Sequence, residues 1–211
     1  MMLDRWTQVY TQKLLKTPAS CLSKYTTANT VTLVGFGMGI LALPLLIQQH
    51  YAAALVMILL NRVADGLDGA IARQTSPSDA GGFLDITLDF IFYAAIVLGF
   101  AAAQPATNAL AAAFLLFCFT GTGTSFLAFA CMAAKNQLQP EQPPKSLYYL
   151  EGLTEGTETL LFFGAACLWP TGFPVLAWCF GALCLVTTAT RLLRGYRLLK
   201  QAQPAPPGHC Q

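Results

Sequence analysis

The sequence predicts an all-α, multi-pass membrane protein, with six transmembrane helices preceded by a short interfacial helix. Three observations carry this expectation. Of 211 residues, 55% are hydrophobic and only 10% charged, against about 25% charged in a soluble domain. The apolar residues collect in runs close to the ~20 that a helix needs to cross a bilayer. Lysine and arginine gather in alternate connections between those runs.

Residues 1–24 form an interfacial amphipathic segment. Leu3, Trp6, Tyr10 and Leu14 recur at helical spacing, with Arg5, Lys13 and Lys16 elsewhere on the turn, as in a helix lying on a membrane surface. The segment lacks the apolar region of a cleavable signal peptide. The spans follow at roughly 31–47, 52–72, 82–103, 108–134, 153–169 and 173–193. Tight links fall at Gln48-Gln49-His50, Gln104-Pro105-Ala106 and Pro170-Thr171-Gly172. A longer polar loop over 135–151 holds Pro140, Pro143 and Pro144. Residues 1–200 read as one membrane domain, and the proline-rich tail 201–211 as disordered.

Orientation follows from the basic residues. Arg5, Lys13, Lys16, Lys24, Arg73, Lys135, Lys145, Arg191, Arg194, Arg197 and Lys200 share one side. The three tight links have no lysine or arginine. Both termini are therefore expected in the cytoplasm. Arg62 alone among the basic residues lies well inside a span, nearer the same side. A net charge of only +2 gives no basic field and excludes nucleic acid as a partner. The seven cysteines show no CxxC spacing and read as small packing residues, not as a disulfide framework or zinc site.

The chemistry gathers at the cytoplasmic ends of spans two and three. Asp65 and Asp68 are three apart; Asp85 and Asp89 are four apart. Each pair shares a helix face, and a hairpin can turn the two faces together. Ionisable groups in a membrane segment need a partner, a cavity or an ion. Four such carboxylates suit two divalent cations about 3.5–4 Å apart. Oxygen-only ligation selects magnesium or manganese. Gly69 and Ala72 open a groove beside the acids, and Gly81 and Gly82 let the third helix start close to the second. Arg73 supplies a fork for phosphate oxygens. Together these features point to a phosphate-bearing substrate at headgroup depth. A carboxylate-based ion transporter is the alternative from another class, and an inactive membrane scaffold is a third.

Asp65, Asp68, Gly69, Ala72, Arg73, Gly81, Asp85 and Asp89 match the signature D-x2-D-G-x2-A-R-x7-8-G-x3-D-x3-D, so the chain resembles the CDP-alcohol phosphotransferase (CDP-alcohol phosphatidyltransferase) family. Thr27-Ala28-Asn29-Thr30-Val31-Thr32 is similar to that family's T-P-N-x-x-T entry to the first span, with alanine in place of proline. Within the family the chain most resembles a bacterial inner-membrane branch. The resemblance implies transfer of a phosphatidyl group from a CDP-linked lipid, CDP-diacylglycerol, to an alcohol, with release of CMP in phospholipid synthesis. It implies Asp65, Asp68 and Asp85 as metal ligands, and Asp89 as general base that also touches one metal. It assigns the CDP portion to Gly69 and Arg73, with Ala72 and Gly81 in the same groove and Asn29 and Thr32 as further contacts. It also suggests a homodimer among membrane lipids.

The acceptor is the least legible part. Glu155 and Glu158 share a helix face at the start of span five, and Arg191 stands at the cytoplasmic end of span six. Lining an acceptor site, the two acids favour a hydroxyl-rich or cationic alcohol; Arg191 keeps a glycerol phosphate open. Alternatively, the acids are headgroup-level groups paired with Lys145 or Arg191. Gly35 and Gly39 form a GxxxG pair that predicts close helix packing, within or between subunits.

Overall fold

The computed structural model describes Leu15, residues 17–136, Thr154 and residues 156–202. Among these residues there is no strand. The helices are α1 (Ala28–Ile40), α2 (Ala42–Ile47), α3 (Tyr51–Gln74), α4 (Asp79–Ala103), α5 (Pro105–Lys135), α6 (Gly156–Leu168) and α7 (Phe173–Ala202), with a 3-10 turn at Pro170–Gly172 between the last two. Four stretches are long and apolar enough to cross a membrane: Ala28–Ile47, Asp79–Ala103, Pro105–Lys135 and Pro170–Gln201. The other two expected spans differ for physical reasons. α3 has the length, but Arg62, Asp65, Asp68 and Arg73 lower its apolarity. α6 covers only 13 residues, and Glu155 and residues 137–153 lie outside the described part.

The helices run a few residues past the apolar segments because polar residues cap them. Thr27 Oγ1 accepts from the Thr30 amide at 3.3 Å at the start of α1. Ser78 Oγ accepts from the Gly81 amide at 3.1 Å at the start of α4. Each satisfies an amide that the helix leaves orphaned. Pro105 begins α5, where its missing N–H costs nothing. The first span breaks into α1 and α2 at Leu41, three residues before Pro44, which cannot donate to the Ile40 carbonyl. At the far end, α7 runs to Ala202, so the tail expected to begin at 201 starts as helix; residues 203–211 lie outside the described part. Of the expected interfacial segment, residues 17–22 are helical, and Ala19 is buried with Ala70 and Ile71 of α3. The amphipathic stretch that defined it lies almost wholly outside the described residues.

Close packing sets the position of the acids. α1 lies on α3 through Gly35, where an added Cβ would fall 2.5 Å from the Ala64 Cβ. A Cβ at Gly39 would meet Phe92 at 2.8 Å and Asn61 at 2.9 Å. The GxxxG pair is thus used inside the chain. Below it, Phe92, Phe100, Phe163 and Phe173 are fully buried. Phe100 stacks on Phe173 at 4.7 Å, and Phe162 on Phe180 at 4.8 Å. This aromatic centre joins α4, α6 and α7. Gln49, with φ 62° in the link before α3, donates from Nε2 to the Ala103 carbonyl at 3.1 Å. That contact places the links at 48–50 and at Gln104 on one end of the bundle. At the other end Asn29 abuts Gly81, and Ser20 Oγ donates to Gln74 Oε1 at 3.0 Å. The aspartates lie toward this second end.

Candidate active site

α3 and α4 form an antiparallel hairpin, and its facing sides carry the acids. Oxygens of Asp65, Asp68 and Asp85 all lie within 4.8 Å of one another. They line a small cavity of about 10 Å³ with Thr32, Gly35, Phe36, Asn61, Leu88 and Asp89. Asp68 is only 5% exposed, and its Oδ2 has no hydrogen-bond partner among the described residues. A buried, unpartnered carboxylate oxygen is costly. A divalent ion would remove that cost, and an all-carboxylate donor set suits magnesium or manganese. The residues therefore fit the expected cation.

Asp89 borders the same cavity but faces a different partner. Arg62, on α3, donates to both of its oxygens: Nη2 to Oδ1 at 2.5 Å and Nη1 to Oδ2 at 3.3 Å. Nη1 also reaches Tyr93 Oη at 3.1 Å and comes within 3.7 Å of Asp65. The Tyr93 hydroxyl donates to Asp89 Oδ2 at 3.3 Å. The guanidinium is itself anchored. Asn61 Oδ1 accepts from Nε at 2.9 Å and from Nη2 at 2.6 Å, while Asn61 Nδ2 donates to the Gly35 carbonyl at 3.0 Å. The Phe92 and Tyr93 rings lie 4.8 and 5.3 Å from Cζ, a cation–π distance.

Sequence reasoning used Arg62 only for orientation and passed over Asn61 and Tyr93. The signal was available for Arg62: a basic residue deep in an apolar span needs an acid, and Asp65 stands three residues on. Asn61 and Tyr93 announce themselves only through helix packing.

The residues expected around a CDP group fall into two places. Arg73 folds back over Gly69, where a Cβ would meet Nη1 at 3.2 Å; Ala72 beside them is half-buried. Asn29 and Gly81 meet across the α1–α4 contact, with a Gly81 Cβ 2.9 Å from Asn29 Oδ1. Thr32 lines the aspartate cavity. The expected acceptor residues stand elsewhere. Glu155 lies outside the described residues. Glu158 is half-buried in the first turn of α6 and does not line the aspartate cavity. Arg191 donates to the Thr122 carbonyl at 3.2 Å and borders a second cavity of about 910 Å³. Phe90, Phe119, Phe126, Thr120, Thr154 and Thr159 also line it. Tyr93 lines this cavity too, so its hydroxyl bridges the larger space to Asp89.

Comparison with known proteins accords with this geometry. The Escherichia coli (strain K12) inner membrane protein YnjF is 55% identical over 204 residues, covering 96% of this chain and 99% of that one. An archaetidylinositol phosphate synthase of Pyrococcus horikoshii is 38% identical over 76 residues, 36% of this chain and 40% of that protein. The crystal structure of Mycobacterium tuberculosis phosphatidylinositol phosphate synthase with CDP-DAG bound superposes with a TM-score of 0.64 at 20% identity, covering 87% of this chain and 94% of the other. The same enzyme with manganese and citrate gives 0.62 at 20% identity, covering 86% and 88%. At that identity the likeness shows a shared fold. Residues 25–190 match the CDP-alcohol phosphatidyltransferase family, and the chain belongs to that family.

Proposed function

We propose that this protein transfers a phosphatidyl group from a CDP-linked lipid, CDP-diacylglycerol, to an alcohol and releases CMP, as a step of phospholipid synthesis. The observation that carries the reading is the convergence of Asp65, Asp68 and Asp85 around a buried carboxylate oxygen that has no partner among the described residues. These three side chains would hold a first magnesium or manganese ion, and a second would draw on Asp89. Bound cations neutralise the pyrophosphate and stabilise the charge on departing CMP. Arg73, folded over Gly69, takes phosphate oxygens, and Asn29, Thr32, Ala72 and Gly81 shape the nucleotide groove. Asp89 accepts the proton of the acceptor hydroxyl. That oxygen forms a bond to the phosphatidyl phosphorus as the bond from phosphorus to the CMP oxygen breaks. The acceptor approaches Asp89 from the cavity lined by Tyr93 and Arg191. Glu158, in the first turn of α6, and Glu155, which precedes that helix in sequence, bias the choice toward hydroxyl-rich or cationic alcohols.

The topology that serves this chemistry is six spans in one domain over residues 1–200, with an interfacial segment at 1–24. Both termini and the acids face the cytoplasm of an inner membrane, where CDP-lipid and soluble alcohols meet. Purified protein incubated with CDP-diacylglycerol, magnesium and a panel of alcohols should release CMP only when metal and a suitable acceptor are both present. CMP release that ignores chelation, or none with any acceptor, would reject the assignment and favour a non-enzymatic role.

A further inference from the structure

We propose that Arg62 is a resident cation of the acidic cluster, holding Asp89 where a second divalent ion would take it. The resting protein then binds one ion at Asp65, Asp68 and Asp85, and admits a second only by displacing Arg62. This inference rests on the metal reading above and adds how the site is filled.

Three observations support it. The guanidinium stands between Asp89 and one member of the three-carboxylate group, gripping Asp89 through two nitrogens and lying 3.7 Å from Asp65. A second ion would need those same carboxylates. Arg62 cannot swing away freely, because Asn61 fixes two of its nitrogens and is itself tied to the Gly35 carbonyl. The Phe92 and Tyr93 rings confine it further. Finally, charge favours one ion at rest. One divalent ion plus Arg62 leaves the four carboxylates one charge short of neutral; a second ion beside Arg62 would overshoot by one, so it balances the carboxylates only where Arg62 gives way. A pyrophosphate-bearing substrate brings negative charge that can pair with the displaced guanidinium, so occupancy of the second position is coupled to substrate.

The test is manganese binding by the full chain in detergent, followed by the electron paramagnetic resonance of free Mn2+. Wild type should bind one ion per chain, with any second at least about tenfold weaker. Arg62→Met should tighten the second site by about tenfold or more, and Arg62→Met/Asp89→Asn should lose that gain. Arg62→Lys, which keeps the charge without the fork, should fall between wild type and Arg62→Met. Asp89→Asn alone should leave the first site within about twofold of wild type; this variant keeps the test decisive if Arg62→Met does not fold. The proposal is overturned by two equal sites in wild type, by weaker or unchanged second-site binding in a folded Arg62→Met, or by a gain that survives Asp89→Asn. It is equally overturned by loss of the first site in Asp89→Asn. Absence of any manganese binding by wild type instead rejects the metal reading itself, and this inference with it.

Discussion

Gly35 offers a test of how tightly the site depends on helix packing. An alanine there would place its Cβ 2.5 Å from the Ala64 Cβ, against the 3.5–4.0 Å at which carbon atoms rest in contact. α1 and α3 must then part by about 1 Å or more. Neither partner is the end of a flexible side chain, so the strain passes to the backbone. Overpacking of this kind costs about 1–3 kcal/mol. Gly37, on the same helix, is the internal control: nothing lies within 4 Å of its Cβ position. Both replacements gain the same helix propensity, about 1 kcal/mol, so it cancels in the comparison. Gly35→Ala should therefore be less stable than Gly37→Ala by about 1–3 kcal/mol, or roughly 2–12 °C in unfolding midpoint for a chain of this size. Thermal unfolding in detergent measures this directly. Gly35→Ala should also lose CMP release, since Thr32 on α1 and Asp68 on α3 line one cavity. Equal midpoints for the two variants, or a Gly35→Ala protein that keeps its midpoint while losing self-association, would refute the intrachain packing and return the GxxxG pair to a dimer contact.

Other outcomes follow from the site and the topology. Asp65→Asn or Asp85→Asn should abolish metal-dependent CMP release while the protein still inserts and elutes as a folded species; turnover surviving both changes at ordinary magnesium would remove the metal assignment. Cysteines placed near Pro105 should resist a reagent confined to the cytoplasm, while those in the loop over 135–151 should react; the reverse labelling would contradict the six-span topology. Glu155→Gln or Glu158→Gln should change acceptor preference and leave the KM for CDP-lipid within about twofold; efficient use of glycerol phosphate by wild type would count against an acid-lined acceptor site.

The acids were legible in the sequence because their spacing is set by helix geometry alone. Three and four residues apart put Asp65 with Asp68, and Asp85 with Asp89, on shared faces, and four residues between Gln74 and Asp79 force the hairpin that opposes them. The apolar runs marked the helices for the same reason: α1 and α4 begin only a few residues earlier, where Thr27 and Ser78 cap them, while α7 continues past its apolar run to Ala202. Span number was harder to read, because ionisable side chains lower the hydropathy of a helix whatever its place in the bundle. α3 carries Arg62, Asp65, Asp68 and Arg73, and so it falls short of the apolarity of its neighbours.

What the sequence did not reveal depends on distances between helices that spacing does not encode. Asp89 looks equivalent to Asp85 in the pattern D-x3-D, yet the two carboxylates differ in partner. Asp85 joins Asp65 and Asp68, whereas Asp89, one turn deeper, meets Arg62. That divergence arises from the α1–α3 approach at Gly35 and Gly39, which brings Asn61 under α1 and lets it fix the guanidinium. A larger residue at either glycine would crowd α3 at Ala64 or Asn61 and loosen the hold of Asn61 on Arg62. The small residues of the first span, far from any acid in sequence, thereby govern which carboxylate Arg62 holds.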